Sequence, residues 1–248
     1  MEEQLALIIP AAGRGSRFSR LGIKEPKPLV DLEGQPFFWW AVESVRRVVE
    51  LRQIIFVVLQ EHIAEFSIDK RIREFYPDAS VVAIPEVTSG AAETALAGLS
   101  ALRKPGPIAI NDCDHAFVCD SFPDALKAMR VDVEGALMCF PSSNPAYSYV
   151  RLNADKEVIG TVEKQVVSDL AIAGCYLFAN SDRFVALYRQ YKEDCPYDEL
   201  FLSGMFNLLA DRNSKISVVR LNKHCSFGTP EELGKITRQT FTPFLSWK

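Results

Sequence analysis

Residues 53–59 contain Ile54-Ile55-Phe56-Val57-Val58, an unbroken run of β-branched and aromatic side chains. A run this apolar, with no polar residue in alternation, predicts a strand covered on both faces. It does not stand alone. Residues 5–10, 81–84 and 108–110 are further short apolar runs, and between them lie helical patterns over 37–49, 61–75 and 91–102. Pro36 marks the entry to the first of these helices. Strand and helix in alternation imply a parallel sheet with right-handed crossovers. Ligands of such sheets sit beyond the carboxyl ends of the strands. The loops after Pro10, Ile84 and Ile110 are therefore expected to share one crevice.

Past Asp120 the order is less regular. Strands are expected over 136–140, 149–152, 158–162, 175–178 and 216–221, and helices over 121–129, 181–193 and 199–210. A last helix should begin at Thr229, with Pro230 in its first position and Glu232 closing a capping box. No linker or repeat divides the 248 residues, so one α/β domain is the simplest organisation.

The loop after the first strand carries Ala11-Ala12-Gly13-Arg14-Gly15-Ser16-Arg17, and Lys27 follows ten residues after Arg17. Small residues let backbone N–H groups approach an anion, and the cations add charge beside it. The pattern is neither a P-loop, which needs Lys at a fixed spacing, nor a dinucleotide fingerprint, whose third glycine would fall on Phe18. It reads as a seat for a polyphosphate, or as a glycine-rich turn.

Asn111-Asp112-Cys113-Asp114-His115 follows the strand at 108–110. Two carboxylates at the end of a buried strand call for a positive partner. A hard cation such as Mg²⁺, held by one or two carboxylates plus substrate phosphates, is the natural one; a helix cap or turn is the alternative. Glu86 to Ala91, with Ser89 and Gly90, could lie against a flat ring or simply cap a helix. Glu163-Lys164, an adjacent acid and base, follows the strand expected over 158–162; such neighbours point to opposite faces, and a solvated pair is the alternative to a binding role.

Composition excludes several classes. Lys and Arg number 28 against 32 Asp and Glu, a net charge of −4, which argues against a nucleic-acid partner. No apolar run is long enough to span a bilayer, and the acidic start does not read as a signal peptide. The six cysteines are scattered and read as buried free thiols of a cytoplasmic protein. His62, His115 and His224 lie far apart in the chain, and none has zinc-ligand spacing. Trp39, Trp40 and Trp247 are candidates for a homo-oligomer contact, although the core is the favoured place for them.

In their order these segments resemble the sugar-phosphate nucleotidyltransferases of the GT-A-like superfamily. The resemblance rests on residues 10–18, 27–29, 89–92, 112–114, 163–164, 173–176 and 227–232. Tyr147-Ser148-Tyr149-Val150-Arg151-Leu152 looks like the capsule and surface-polysaccharide members. The resemblance implies a three-layer α/β/α sandwich around a mixed, mostly parallel sheet. It implies that Ala11 to Gly15, with Arg17, hold a nucleoside triphosphate, that Lys27 neutralises the reacting phosphates, and that Glu86 and Ser89 to Ala91 lie by the base. Asp114 would be the main Mg²⁺ ligand and Asp112 its helper. Glu163, Lys164 and Gly174 would take the phosphorylated acceptor, and pyrophosphate would leave. The sequence departs at Ser226, where many relatives have a second metal aspartate, and at Ser148, where they often have glycine. A nucleotide-sugar-dependent glycosyltransferase and a non-catalytic nucleotide-binding domain are the alternatives.

Overall fold

The structure, a computed structural model, describes residues 5–248. The first half runs β1 (Leu5–Pro10), α1 (Ser16–Ser19), β2 (Asp31–Leu32), β3 (Gln35–Pro36), α2 (Phe37–Arg46), β4 (Leu51–Leu59), α3 (Gln60–Phe66), α4 (Ile68–Phe75), β5 (Ser80–Ile84), α5 (Ala91–Gly98) and β6 (Ile108–Asn111). The second half continues with β7 (His115–Val118), α6 (Phe122–Met129), β8 (Val133–Pro141), β9 (Ser148–Leu152), β10 (Val158–Glu163), β11 (Leu170–Phe178), α7 (Ser181–Asp194), α8 (Leu202–Asp211), β12 (Lys215–Arg220), β13 (Lys223–Ser226), α9 (Pro230–Gly234) and α10 (Arg238–Leu245).

Among the described residues nine strands form the central sheet, with β6, β1, β4 and β5 adjacent and parallel. The second half adds antiparallel pairs: β11 lies against β6 and β8, and β9 against β10. Strand β12 returns parallel to β8. The sheet is mixed and mostly parallel in its first half, as the resemblance implied.

Strand side chains alternate between two cores. Leu5, Leu7 and Ile9 of β1 join Trp40, Ile72, Phe122 and Phe241 on one face. Ala6 and Ile8 join Ala95, Phe184 and Phe206 on the other. Period-two alternation in a strand sandwiched between helices produces this division, and the result is three layers. Trp39 and Trp40 are buried in the first core. Trp247 packs against that core from its edge, with the Arg47 guanidinium 5.5 Å from its ring centroid.

Several expectations are refined. The helix expected over 61–75 is two helices, broken at Ser67, which adopts a left-handed φ of 51°. The helix expected over 199–210 starts at Leu202, because the backbone of Leu200 is bonded to Ser89 and Ala92 instead. The capping box at Thr229 and Glu232 forms, but α9 is short and α10 follows it. Two small ladders, β2 with β3 and β7 with β13, have no counterpart among the expected elements. Among the described residues no helix is long and apolar enough to cross a membrane.

Candidate active site

The chain leaves β1 at Pro10 and turns through the small-residue loop into α1. Gly15 holds φ 61°, and a Cβ there would lie 3.1 Å from Lys27 Cβ. A left-handed turn at glycine thus lets the Lys27–Leu29 turn close under the loop. Beyond the loop lies a cavity of about 530 Å³, lined by Ala11, Ala12, Gly13 and Arg14 on one side and by Val87 to Ala91 on the other. Lys27, Asp112 and Asp114 form its inner end. The loops after β1, β5 and β6 do share one crevice. Gly15 and Glu86 are not part of its lining, and Arg14 also pairs with Glu61 at 3.4 Å.

The loop after β5 is fastened from behind. The Ser89 N–H donates to Glu93 Oε2 at 2.8 Å, and Tyr188 Oη and Lys192 Nζ of α7 reach Glu93 Oε1 at 3.0 and 3.4 Å. The Ser89 bond, acting against burial, holds the Glu93 carboxyl below its ordinary range. Leu200 N–H donates to Ser89 O at 2.8 Å, and Ala92 N–H donates to Leu200 O at 3.0 Å. A Cβ on Gly90 would fall 2.5 Å from Leu200 N. Glycine at position 90 is therefore required by the backbone of residue 200, a reason independent of any ligand.

Asp112 and Asp114 flank Cys113 at the end of β6. Lys27 Nζ donates to Asp114 Oδ2 at 2.7 Å. Burial raises the Asp114 carboxyl, but the charge and hydrogen bond of Lys27 outweigh it and hold it below its usual range. For Lys27 burial works downward, and Asp114, Cys113 and Asp112 together raise it. Asp112 has no such hydrogen bond: burial and the Asp114 charge push it up to about 7 against the weaker pull of the Lys27 charge. Burial pushes the Cys113 thiol up to about 12, so it is no nucleophile at neutral pH.

Two half-buried carboxylates facing one ammonium leave a deficit of positive charge. Among the described residues no three His, Cys, Asp or Glu side chains converge to hold a metal by themselves. Two carboxylates beside a cavity are the donor set that Mg²⁺ takes when substrate phosphates supply other ligands. The residues present fit that cation.

A second cavity, of about 280 Å³, opens on the other side of the same carboxylates. Lys27, Asp112, Asp114 and Ala91 line both cavities. The second is completed by Arg17, Glu163, Lys164 and Gly174, and by residues to which the sequence assigned no binding role, among them Tyr147, Phe201, His224 and Glu232. Arg17 stands in this cavity and is not part of the lining of the larger one.

Strand irregularity builds the second cavity. Strand β11 slips its register against β8 between Ile172 and Tyr176, and Gly174 there has φ 72°. A Cβ at Gly174 would meet Asp112 Oδ2 at 2.6 Å, and one at Gly228 would meet Asp114 Oδ2 at 2.3 Å. Glu163 accepts hydrogen bonds from Ser148 Oγ, at 2.6 Å, and from Ser203 Oγ. Lys164 lies over the Phe201 ring, 5.2 Å from its centroid. Tyr147 Oη donates to Glu232 Oε1 at 2.6 Å.

The β7–β13 ladder brings His115 and His224, far apart in sequence, to a ring separation of 5.5 Å. Asn111 gives its amide N–H to Ala41 O, so its carbonyl accepts from His115 Nε2 at 2.9 Å. Burial lowers His115 to about 4, which keeps it neutral. No spacing rule could have found this pair, because its two strands are distant in the chain.

Comparison with known proteins places this architecture. Residues 7–196 match the family model of the MobA-like NTP transferase domain. The chain belongs to that family. The chain is also similar to 2-C-methyl-D-erythritol 4-phosphate cytidylyltransferase of Endomicrobium trichonymphae, at 38% identity over 63 residues, 25% of this chain and 27% of that protein. The match spans about a quarter of that relative's length. Among solved structures, a nucleoside-diphosphate-sugar pyrophosphorylase from Vibrio cholerae RC9 superposes with a TM-score of 0.80 at 24% identity, covering 92% of this chain and 98% of that one. The inositol-1-phosphate CTP transferase from T. maritima gives 0.76 at 14% identity, covering 97% and 95%. At these identities the two structures establish a shared fold.

Proposed function

We propose that the protein transfers a nucleoside monophosphate from a nucleoside triphosphate to a phosphorylated small molecule of the sugar 1-phosphate type, releasing pyrophosphate. The observation that carries this reading is the meeting of two cavities at Lys27, Asp112 and Asp114. One cavity begins at a small-residue loop suited to a polyphosphate, and the other holds Arg17 and Lys164 beside hydrogen-bonding groups.

The reaction sets the demands on the residues. An acceptor phosphate oxygen forms a bond to the α-phosphorus, and the bond from that phosphorus to the pyrophosphate oxygen breaks. Both reactants are anions, so the protein must position them and offset their charge. Lys27 sits where the cavities join and neutralises the reacting phosphates. Arg17 and Lys164 draw in the acceptor phosphate, and Lys164 leaves the Phe201 ring to do so. Glu163, already oriented by Ser148 and Ser203, accepts from the acceptor's hydroxyls. Asp112 and Asp114 would hold Mg²⁺, with no aspartate needed at Ser226. When bound, that cation supplies charge neutralisation and a template for the phosphate oxygens.

The resemblance of residues 147–152 to surface-polysaccharide members favours a role in making activated precursors in the cytoplasm. The test is a matrix of triphosphates against phosphorylated acceptors, read by pyrophosphate release at saturating Mg²⁺. Lys27→Ala and Asp114→Ala should each lower turnover a hundredfold or more, on the order of 3 kcal/mol of transition-state stabilisation. Near-native turnover in both variants would remove the mechanism.

A further inference from the structure

Within the nucleotidyl-transfer reading, we infer that Glu199 selects the nucleobase and that the protein takes a base bearing an exocyclic amino group. Among the described residues, Glu199 is the one from beyond Asp114 that lines the larger cavity. Its place is fixed by the next residue, since Leu200 is tied to Ser89 and Ala92 by two backbone hydrogen bonds and pressed against Gly90. The same wall carries Val87, Thr88 and Ser89, which follow β5. Strand β5 stands two positions from β1, roughly 10 Å along the sheet at the usual strand spacing. Phosphates held at the ends of β1 and β6 leave that wall to the far end of the nucleotide, which is the base.

The threonine and glutamate side chains of the wall offer acceptors. Thr88 Oγ1 and Thr94 Oγ1 lie 2.6 Å apart, and both are within hydrogen-bond distance of Gly90 O, at 2.9 and 3.2 Å. One hydroxyl proton goes to that carbonyl and the other lies between the two oxygens. Neither proton is left for a ligand, so the hydroxyls present lone pairs. The Ser89 N–H is spent on Glu93. Among the described residues the Glu199 carboxylate has no side-chain hydrogen bond or ion pair, and it adds two more acceptor oxygens. Cytosine and adenine meet such a wall with an amino group, and guanine with an amino group beside a ring N–H. Uracil and thymine bring a single ring N–H flanked by carbonyl lone pairs, which a carboxylate repels.

The test measures binding of CTP, GTP, ATP, UTP, dTTP and dCTP by calorimetry, on the native protein and on Glu199→Gln, with acceptor KM as a control. At least one amino-bearing triphosphate should bind about tenfold or more tighter than UTP and dTTP. In Glu199→Gln, whose amide can donate as well as accept, that preference should shrink below about threefold while acceptor KM holds. Preference of the native protein for UTP or dTTP overturns the inference. So does an equal loss for every triphosphate in the variant, or a loss confined to the preference for CTP over dCTP, which would place Glu199 at the ribose. Binding without base preference overturns this inference alone. Failure of every triphosphate to bind overturns the nucleotidyl-transfer reading with it.

Discussion

Gly90→Ala is a stringent probe of how the larger cavity is built. The new methyl would lie 2.5 Å from Leu200 N and 2.6 Å from Leu200 O, where ordinary contact begins at 3.4 Å. Both obstacles are backbone atoms, so no rotamer change relieves the overlap. Residues 90 and 200 must part by roughly an ångström, with an overpacking cost of about 1–3 kcal/mol. The parting also stretches the bonds from Leu200 N to Ser89 O and from Ala92 N to Leu200 O, each worth about 0.5–1.5 kcal/mol. Together these come to on the order of 2–6 kcal/mol. At about 2–4 °C per kcal/mol for a chain of this size, Tm should fall by roughly 4–24 °C. Calorimetric melting gives the stability, and titration with a triphosphate gives the state of the cavity, which should also weaken. Gly13→Ala is the matched control. It lines the same cavity, but a Cβ there meets nothing within 4 Å. Tm should stay within about 1 °C while triphosphate affinity drops, because on the proposed reading the methyl takes space that phosphate would fill. A Gly90→Ala protein with native Tm and native affinity would refute the reasoning.

Glu93→Gln sets an amide N–H₂ among three donors, so the Ser89 loop should loosen. Triphosphate Kd should rise about fivefold, near 1 kcal/mol, with acceptor KM unmoved. Gly174→Ala puts a methyl 2.6 Å from Asp112 Oδ2 on a backbone with φ 72°. Turnover and Mn²⁺ affinity, followed by electron paramagnetic resonance, should fall together. Burial holds the His62 and His224 imidazoles below their ordinary range of about 6.5. The unfolded chain binds protons there that the folded one refuses, so stability should decline as pH falls below about 6.5. His224→Phe, which keeps the stack on Phe140, should make that decline shallower in melts taken across the range.

The sequence was most legible where the physics is local. Continuous apolar runs marked the parallel strands, because a strand covered on both faces has no polar side to display. Thr229, Pro230 and Glu232 announced a capped helix, since that motif closes within four residues. The crevice followed from strand order alone. What stayed hidden depends on distant partners. Residues 115–118 and 223–226 pair across more than a hundred positions, and neither segment declares the other. Phe201 and Glu199 reach the site only because Leu200 docks on Ser89 and Gly90. Ser67 breaks a helix through a left-handed φ that its side chain does not advertise. Arg17 shows a subtler limit: the motif assigns it to a triphosphate, but the turn of α1 carries it into the smaller cavity.

The larger cavity draws almost wholly on residues 10–114, while most of the smaller one comes from residues 146–232. On the proposed reading, the donor and acceptor halves can therefore drift separately. Exchanging the later segments for those of a relative should transplant acceptor preference and leave the triphosphate unchanged, provided Glu199 and Leu200 travel with the recipient. A lineage needing a new activated building block could obtain one by editing only the back half of this chain.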